Sequence, residues 1–411
     1  MAAAGARTFI VRFTSLNIAT LVISMAGSII AARALSAEGR GTLGSAMVVL
    51  GLIASVCTLG KELYWARRSF PNQHSFGHAS LDLARHLLIV SGIGAPLCYV
   101  ILRTMVVGLA PRGALLASLN VPLSIAIIIA AAVGLATGNL GVFLGAKLFY
   151  AIAYSIAATI FLLTGVSSAN AFLLTHLCIN SLIVTALIGY LSRHWPNPPA
   201  VALTAAAPEP EPKAPDDNQT ATSNLQWYIA HFAAIAITSG PGLLIALHPR
   251  ADVRGTCFIA FSFLSLHSLL TSSIQKWGFS VLSSARDEHR RLARQAFVQT
   301  SISTILCVTI LAGIAPPLIP LIFGSQYVLT ASLAVPLGML AIANAAWLSA
   351  DELAKAAGRV TSLAVVIPSA LVLAVALLAE RAGTGFGAVV TLYSLAVGVL
   401  ASVRARAIGS V

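Results

Sequence analysis

Residues 9–42 read FIVRFTSLNIATLVISMAGSIIAARALSAEGRGT and place a long apolar run before a short polar segment. The run from Phe9 to Ala31 is long enough to cross a bilayer, because a spanning helix needs about 20 mostly apolar residues. Arg7 and Arg12 beside this run and the small residues after it are also typical of a cleavable signal peptide. Since many more apolar runs follow, we expect an uncleaved first membrane helix.

The composition of the whole chain is that of a membrane protein. Hydrophobic residues make up 58% of the 411 residues and charged residues 9%, whereas a soluble domain has about 25% charged residues. The net charge of +12 comes from basic residues in short stretches between apolar runs. There they mark orientation in the membrane and do not indicate a nucleic-acid partner. The five cysteines have no CxxC spacing, so we expect no disulfide framework, metal site or cofactor.

Long apolar runs predict an all-α protein with about twelve transmembrane helices. The approximate bounds of the predicted spans are 9–31, 42–60, 87–107, 116–136, 143–164, 171–191, 227–247, 257–274, 296–314, 328–350, 361–379 and 388–403. With these bounds most of the 25 Lys and Arg residues fall on the side of the N-terminus. Because cytoplasmic segments are enriched in basic residues, we expect both termini in the cytoplasm of an inner-membrane protein.

A polar segment divides the twelve predicted spans into two groups of six. Residues 195–220 read WPNPPAVALTAAAPEPEPKAPDDNQT, a composition too rich in Pro, Ala and acidic residues to bury a core. We therefore predict an N-terminal six-helix lobe over 1–194, a disordered cytoplasmic linker over 195–224 and a C-terminal six-helix lobe over 225–411.

The two halves carry related short motifs. Ala37–Thr42 reads AEGRGT and Ala251–Thr256 reads ADVRGT, 214 positions later. A six-helix unit repeated in the same orientation predicts two lobes related by an axis along the membrane normal, an architecture suited to alternating access. The repeat-related arginines, Arg40 and Arg254, are expected in loops at the periplasmic ends of the second and eighth spans. Orienting those loops is the role we favour for them, ahead of product release.

Four segments resemble those of one family of membrane proteins. Ala31–Gly41, AARALSAEGRG, resembles the segment after the first helix in bacterial polysaccharide-biosynthesis membrane proteins. These are the lipid-linked oligosaccharide flippases of the multidrug/oligosaccharidyl-lipid/polysaccharide exporter superfamily. Leu321–Tyr327 resembles their loop before the tenth helix, Ala356–Arg359 their turn before the eleventh, and Gly383–Gly387 the glycine-bearing turn before their last helix. The four matches occur in the expected order along the whole chain.

The resemblance implies a specific function. A protein of this family flips an undecaprenyl-pyrophosphate-linked oligosaccharide from the cytoplasmic to the periplasmic leaflet for surface polysaccharide biosynthesis. It implies a lipid-linked oligosaccharide and membrane lipids as binding partners, and polysaccharide-assembly proteins as further partners. It does not imply an enzyme.

Polar residues inside predicted spans are the candidates for substrate binding, since such groups are costly in hydrocarbon. Arg12 lies near the cytoplasmic end of the first span and Asn17 deeper along it. Arg12 could meet a pyrophosphate at the inner leaflet, or its side chain could extend to the lipid headgroups. Lys147, at the start of the fifth span, is a candidate ligand or an interfacial anchor.

Three histidines and a second asparagine complete the candidate set. His176 and Asn180 are four residues apart and share a helix face in the sixth span. They could line a cavity or form hydrogen bonds between helices. His231 in the seventh span and His267 in the eighth could titrate in a proton-coupled cycle, or could simply be packed and hydrogen-bonded residues.

Two other kinds of protein fit the sequence less well. A multidrug or lipid exporter of the same superfamily would have the same fold, but a pump for cations is expected to place acids inside its lobes. Here Asp82, Asp351 and Glu352 lie only at span ends. A polyprenol-dependent glycosyltransferase or a polysaccharide polymerase should have a sizeable outward loop with acidic residues, and the predicted outward loops are short.

Overall fold

The computed structural model of the chain describes residues 2–61, 75–136, 140–195, 232, 234–267, 289–356, 372–376 and 385–408. All regular secondary structure within these ranges is helical. The helices are α1 (Ala2–Ala34), α2 (Ala37–Cys57), α3 (Phe76–Met105), α4 (Pro111–Ala136), α5 (Leu140–Thr164), α6 (Ala169–His194), α7 (Ala234–Ala246), α8 (Ala251–Leu264), α9 (His289–Phe323), α10 (Ala331–Ala356), α11 (372–376) and α12 (Phe386–Ile408). A 3₁₀ turn, Ser265–His267, continues α8.

The predicted all-α, multi-pass membrane architecture is confirmed. Nine of the described helices are long and apolar enough to cross a membrane. The predicted spans 227–247, 257–274 and 361–379 lie partly outside the described residues, as does most of the predicted linker. The total of twelve spans, the lobe boundaries and the sides on which the termini lie therefore stay predictions.

The outer faces of the helices are apolar, as lipid requires. Along α3 the exposed large side chains include Leu88, Ile89, Ile93 and Leu97, and Leu88 is 79% exposed. A soluble monomer rarely exposes so continuous an apolar surface, whereas lipid tails solvate it. Inside the lipid every backbone polar group needs an internal partner, which is why helices are the only described elements.

Each half of the chain has its own hydrophobic core. In lobe 1 (α1–α6) buried side chains such as Leu43, Val121 and Phe172 belong to one cluster. In lobe 2 (α7–α12) Phe258 and Trp347 belong to another. Trp195, which the sequence assigns to the start of the linker, packs edge-on against the ring of Phe76 and belongs to the core of lobe 1. The two cores fit the predicted division into two lobes.

The predicted loop positions of Arg40 and Arg254 are wrong. Arg40 lies in the first turn of α2 and Arg254 in the first turn of α8. Ser36 begins α2 because its hydroxyl accepts a hydrogen bond from the Gly39 N–H at 3.0 Å, which satisfies one of the free donors of the first turn. Counting only apolar residues misses these polar first turns, since they extend the helix beyond its hydrophobic part.

The ninth span is also longer than predicted. The predicted span ends at residue 314, yet α9 continues through Pro316, Pro317 and Pro320 to Phe323. Proline is tolerated in a membrane helix where neighbouring groups satisfy the freed backbone. In the last turn of α9, whose carbonyls have no partner within the helix, the Arg33 guanidinium from lobe 1 donates to the Ile322 carbonyl oxygen at 3.0 Å, and through its second nitrogen to that of Leu321 at 3.3 Å.

The lobes touch where the two repeated motifs meet. A Cβ atom built on Gly41 would lie 2.8 Å from the Gly255 nitrogen and would overlap the Ala251 carbonyl oxygen. Reciprocally, a Cβ atom on Gly255 would lie 3.2 Å from the Gly41 nitrogen and would overlap the Ala37 carbonyl oxygen. The contact is nearly symmetric, with repeat-related glycines facing each other, so the axis relating the lobes passes between them.

Side chains of each lobe also bind backbone carbonyls of the other lobe at this end. Gln326 donates to the Leu35 carbonyl oxygen at 2.9 Å, and the Tyr327 hydroxyl donates to that of Ala32 at 2.9 Å. Burial raises the pKa of Tyr327 to about 12, so the hydroxyl keeps the proton that it donates. In the opposite direction Arg254 donates to the Val107 carbonyl oxygen at 2.7 Å. We call this region, formed by the ends of α1 and α9 and the starts of α2 and α8, the closed end.

Among the described residues, the contacts between the lobes lie mainly at the closed end. The lobe 1 side chains that pack against the core of lobe 2 include Met25, Ile29 and Ala32 near the end of α1, and Val48 on α2. Further along α2, a Cβ atom on Gly51 would have no atom within 4 Å. By the predicted topology the closed end is periplasmic.

We expect Gly41→Ala to destabilise the protein, by about 1–3 kcal/mol, because the added methyl group meets backbone atoms that cannot rotate away. Gly51→Ala is the matched control, since it lies in the same helix, has open space and gains the same helix propensity. The melting temperature of the purified protein should be lower for Gly41→Ala than for Gly51→Ala. Equal melting temperatures would contradict the close contact.

Candidate substrate site in lobe 1

A cavity of about 290 Å³ lies within lobe 1 between α1, α4, α5 and α6. Its lining consists of Thr20, Ser24, Ile127, Ala146, Lys147, Tyr150, Asn180 and Ile183. The four helices therefore each contribute at least one side chain. The lining combines an apolar wall with a few hydrogen-bonding groups, which is the usual composition of a small-molecule site.

Lys147 is the cation among the described lining residues, none of which is a carboxylate. It is exposed and lies about two turns into α5 from Leu140. Because a lysine ammonium has three donors and no acceptor, this position favours an anionic or oxygen-rich ligand. Lys147 was predicted from the sequence as a candidate ligand, and its role in binding stays a prediction.

Two buried asparagines form a polar contact at the wall of the cavity. The Asn180 amide nitrogen on α6 donates to the Asn120 side-chain oxygen on α4 at 3.0 Å. Asn120 in turn donates to the Leu116 carbonyl oxygen of its own helix at 2.9 Å. Both side chains are buried, so each satisfies a group that would otherwise be costly in the membrane.

Three rings form a column beside the cavity. The Tyr150 hydroxyl is hydrogen-bonded to the imidazole of His176. The Tyr154 ring stacks on His176 with centroids 5.0 Å apart and on Tyr150 with centroids 5.9 Å apart. We call Tyr150, Tyr154 and His176 the ring column. It extends from the cavity lining at Tyr150 into the buried interior of lobe 1, where Tyr154 and His176 lie.

Arg40 lies beside the ring column at the closed end. Its guanidinium donates to the Ser28 hydroxyl on α1 at 3.1 Å and lies close to the Tyr154 side chain on α5. It also interacts electrostatically with His176. Its Nε–H is buried and has no hydrogen-bond partner. The residue therefore ties the first turn of α2 to α1 and α5.

The structure brings some of the predicted site residues together and separates others. Lys147 and Asn180 line the cavity, and His176 and Arg40 lie beside it. Asn17 is half-buried on α1 and is not part of the lining.

The remaining candidates lie elsewhere. Arg12 lies in α1 at a position where only the backbone is described, and His231 lies outside the described residues. His267 is buried in lobe 2, where its Nδ1 lies 2.8 Å from the Leu264 carbonyl oxygen. Arg254 is fully buried at the closed end and binds the carbonyl oxygens of Val107 and His248.

Sequence reasoning missed Asn120, Tyr150 and Tyr154 as members of this site. Asn120 is a polar residue in an otherwise apolar run, which is the signal that identified Asn17 and Asn180. The tyrosines gave no such signal, because a tyrosine in a membrane span is as easily an interfacial or packing residue. His176 and Asn180 share a helix face, and both form hydrogen bonds to other helices. Hydrogen bonding between helices is one of the two roles that the sequence leaves open for them.

The fold defines a class, that of all-α, multi-pass membrane proteins. The chain is similar over 94% of its length to a multidrug resistance MATE family transporter of the MOP superfamily in an inward-facing conformation, with a TM-score of 0.63, 12% identity and 95% of that chain covered. It is equally similar to the lipid II flippase MurJ in an inward closed conformation, with a TM-score of 0.63 and 12% identity over 96% of this chain and 86% of that one.

A third solved structure, a MATE in complex with MaL6, gives a TM-score of 0.60 and 11% identity over 98% of this chain and 97% of that chain. At these identities the likeness shows the fold alone. No protein-family model matches the sequence, and no curated protein matches it.

We expect Asn120→Leu and Asn180→Leu each to lower the free energy of unfolding by about 1 kcal/mol, because each leaves the other amide without its partner. The double substitution should cost no more than the larger single one. The free energies of unfolding of the two single variants and the double variant can be measured on the purified proteins in mixed detergent micelles.

Ser181→Ala is the control for this cycle, because the Ser181 hydroxyl bonds only the Leu177 carbonyl oxygen of its own helix. It should change stability little. Additive effects of the two asparagine substitutions would contradict an energetic link between α4 and α6.

Proposed function

We propose that this protein is a flippase that moves an anionic, lipid-linked oligosaccharide across the bacterial inner membrane for surface polysaccharide biosynthesis. The observation that carries the proposal is the lobe 1 cavity, whose described lining residues place one lysine among hydrogen-bonding groups and include no carboxylate. A pyrophosphate headgroup needs cationic and N–H donors, and the sugars need neutral hydrogen-bonding groups. Polysaccharide-assembly proteins are the partners that this function requires.

The arrangement of the lobes supports alternating access. The lobes are joined through backbone contacts and carbonyl hydrogen bonds at the closed end, which we infer to be periplasmic from the predicted topology. A cavity that accepts substrate from the cytoplasmic leaflet is consistent with closure at the other side. The similar solved structures, a MATE described as inward-facing and a MurJ described as inward closed, add support.

The comparisons also bear on the substrate class. One similar structure is described as a lipid II flippase, and a lipid-linked substrate for this chain agrees with the sequence resemblance to oligosaccharide flippases. Two others are MATE proteins, one of them described as a multidrug resistance transporter. Export of an amphiphilic drug is therefore the second candidate function.

Charge distinguishes the two candidates. A cationic drug favours a carboxylate in the site, and none of the described acids in the apolar spans lines the lobe 1 cavity. Asp82 pairs with Lys61, and in lobe 2 Asp351 lies 3.5 Å from Arg404. This ion pair is buried, so its carboxylate already has a cationic neighbour. The lysine in the lobe 1 cavity favours the anionic substrate.

We expect Lys147→Gln to weaken the binding of undecaprenyl pyrophosphate about tenfold, because it removes one charge-assisted interaction worth about 1.5 kcal/mol. Lys147→Arg keeps the charge and should bind within about threefold of the unchanged protein. Dissociation constants measured for the protein in lipid nanodiscs test both.

Lys61→Gln is the control for this comparison, since Lys61 pairs with Asp82 at 2.5 Å outside the cavity lining. Wild-type binding by Lys147→Gln would overturn the assignment of the site. Binding of tetraphenylphosphonium instead, undiminished by Lys147→Gln, would favour the drug exporter.

Deletion of the gene tests the function in the cell. A flippase deletion should accumulate undecaprenyl-linked oligosaccharide on the cytoplasmic leaflet and lose surface polymer, because the intermediate no longer reaches the periplasm. Lipid extraction and polysaccharide analysis measure these two quantities. Normal intermediates together with normal surface polymer would contradict the flippase.

A further inference from the structure

Arg40 and Arg254 occupy repeat-related positions but make different contacts. Arg254 reaches across to lobe 1 and donates to the Val107 carbonyl oxygen in the turn after α3. The repeat-related target for Arg40 is the Leu321 carbonyl oxygen, 214 positions after Val107. That oxygen accepts from Arg33 instead. Arg40 turns into its own lobe, where it binds Ser28 and lies close to Tyr154.

This difference places Arg40 between the cavity and the closed end. On one side it contacts the ring column, which begins at Tyr150 in the cavity lining. On the other side its neighbour in sequence is Gly41, whose backbone touches Gly255 of lobe 2. The path from the cavity to the contact between the lobes therefore leads from the Tyr150 ring to the Tyr154 ring and then to the Arg40 guanidinium.

The physical link is short and stiff. Tyr150 and Tyr154 lie one turn apart on α5 with their rings nearly parallel, 5.9 Å between centroids and 8° between planes. Stacked rings in a packed core shift together, because the interior leaves few alternative positions for them. Arg40 presents a planar fork of donors, and it holds Ser28 on α1 at the same time.

Arg40 also has an unused donor. Its buried Nε–H has no partner in this conformation, and a buried donor without an acceptor is unfavourable. Arg40 is therefore more stable in a conformation in which each of its N–H groups donates a hydrogen bond. Arg40 is thus the member of the path that has a reason to rearrange.

We propose that Arg40 is a positioning residue that couples the occupancy of the lobe 1 cavity to the opening of the closed end. A substrate that displaces Tyr150 moves the ring column. The column moves Arg40, and Arg40 moves the first turn of α2 and the Gly41–Gly255 contact. The ligand in this inference is that of the proposed function, while the mechanical link between Arg40 and the closed end is independent of which ligand binds.

The mechanical link is tested without ligand by measuring distances between spin labels at Ala110 in lobe 1 and Ser325 in lobe 2. Both residues are exposed and lie near the closed end, and the five native cysteines are replaced in the labelled protein. Arg40→Gln and Tyr154→Phe should each shift the distance distribution to longer values, because each breaks the tie between α2 and α5. The double variant should shift it no further than the larger single variant.

Two matched comparisons make this test decisive. Arg112→Gln removes an exposed arginine at the start of α4 and should leave the distribution unchanged. Tyr154→Phe removes only a hydroxyl, so it remains informative if Arg40→Gln folds poorly. The inference is overturned if the Arg40 and Tyr154 variants match Arg112→Gln, or if their effects add.

The ligand arm separates this inference from the proposed function. Undecaprenyl pyrophosphate should lengthen the distance between the labels in the protein that has Arg40. Arg40→Gln should bind the ligand with a dissociation constant within about threefold of that protein, but binding should cause no further change in the distance. If the ligand fails to bind at all, the proposed function fails while the ligand-free shifts still decide the role of Arg40. A normal ligand response in Arg40→Gln would overturn the coupling role.

Discussion

The contact between Gly41 and Gly255 sets the geometry on which the rest of the structure depends. Two helix starts can approach backbone to backbone only where neither residue carries a side chain, and each glycine faces a carbonyl oxygen of the opposite lobe. This approach brings the polar first turns of α2 and α8 together. It also places the ends of α1 and α9 within reach of side chains from the opposite lobe, so that Arg33, Gln326 and Tyr327 can bind free helix-end carbonyls. Such carbonyls have no partner within their own helix.

The repeat is symmetric at this contact and asymmetric next to it. Gly44 and Phe258 occupy repeat-related positions, and a Cβ atom on Gly44 would overlap the Phe258 ring. The phenyl ring of lobe 2 thus fills the space that the glycine of lobe 1 leaves. The same asymmetry distinguishes Arg40 from Arg254, one directed into its own lobe and the other across to the neighbouring lobe. The two repeats have therefore diverged: lobe 1 contains a polar cavity, and Arg254 of lobe 2 contributes to the contact between the lobes.

The sequence predicts what depends on side-chain type and misses what depends on backbone atoms. Apolar runs identify the spans because lipid accepts only long apolar helices. Polar residues within them identify Lys147, His176 and Asn180, which the structure places in or beside one cavity. The starts of α2 and α8 and the continuation of α9 through Pro316 escape prediction, since neither the cap formed by Ser36 nor a helix that continues through prolines leaves a pattern in composition. The Asn120–Asn180 bond requires knowing which helices are neighbours, and a single sequence does not contain that information.

The closed end is built from bonds that can open at a moderate free-energy cost. The cross-lobe hydrogen bonds described here run from arginine, glutamine and tyrosine side chains to carbonyl oxygens. Water can replace each acceptor when the lobes separate, and a typical hydrogen bond contributes only about 1 kcal/mol net. An ion pair with the same burial would leave two opposite charges to hydrate, and truncating one side would cost several kcal/mol. A carrier must populate both conformations within a few kcal/mol of each other. Carbonyl acceptors at the contact between the lobes keep the free energies of the two conformations of the proposed cycle within a few kcal/mol of each other. The ion pair of Asp351 and Arg404 lies inside lobe 2 instead, so its two partners can move together when the lobes separate.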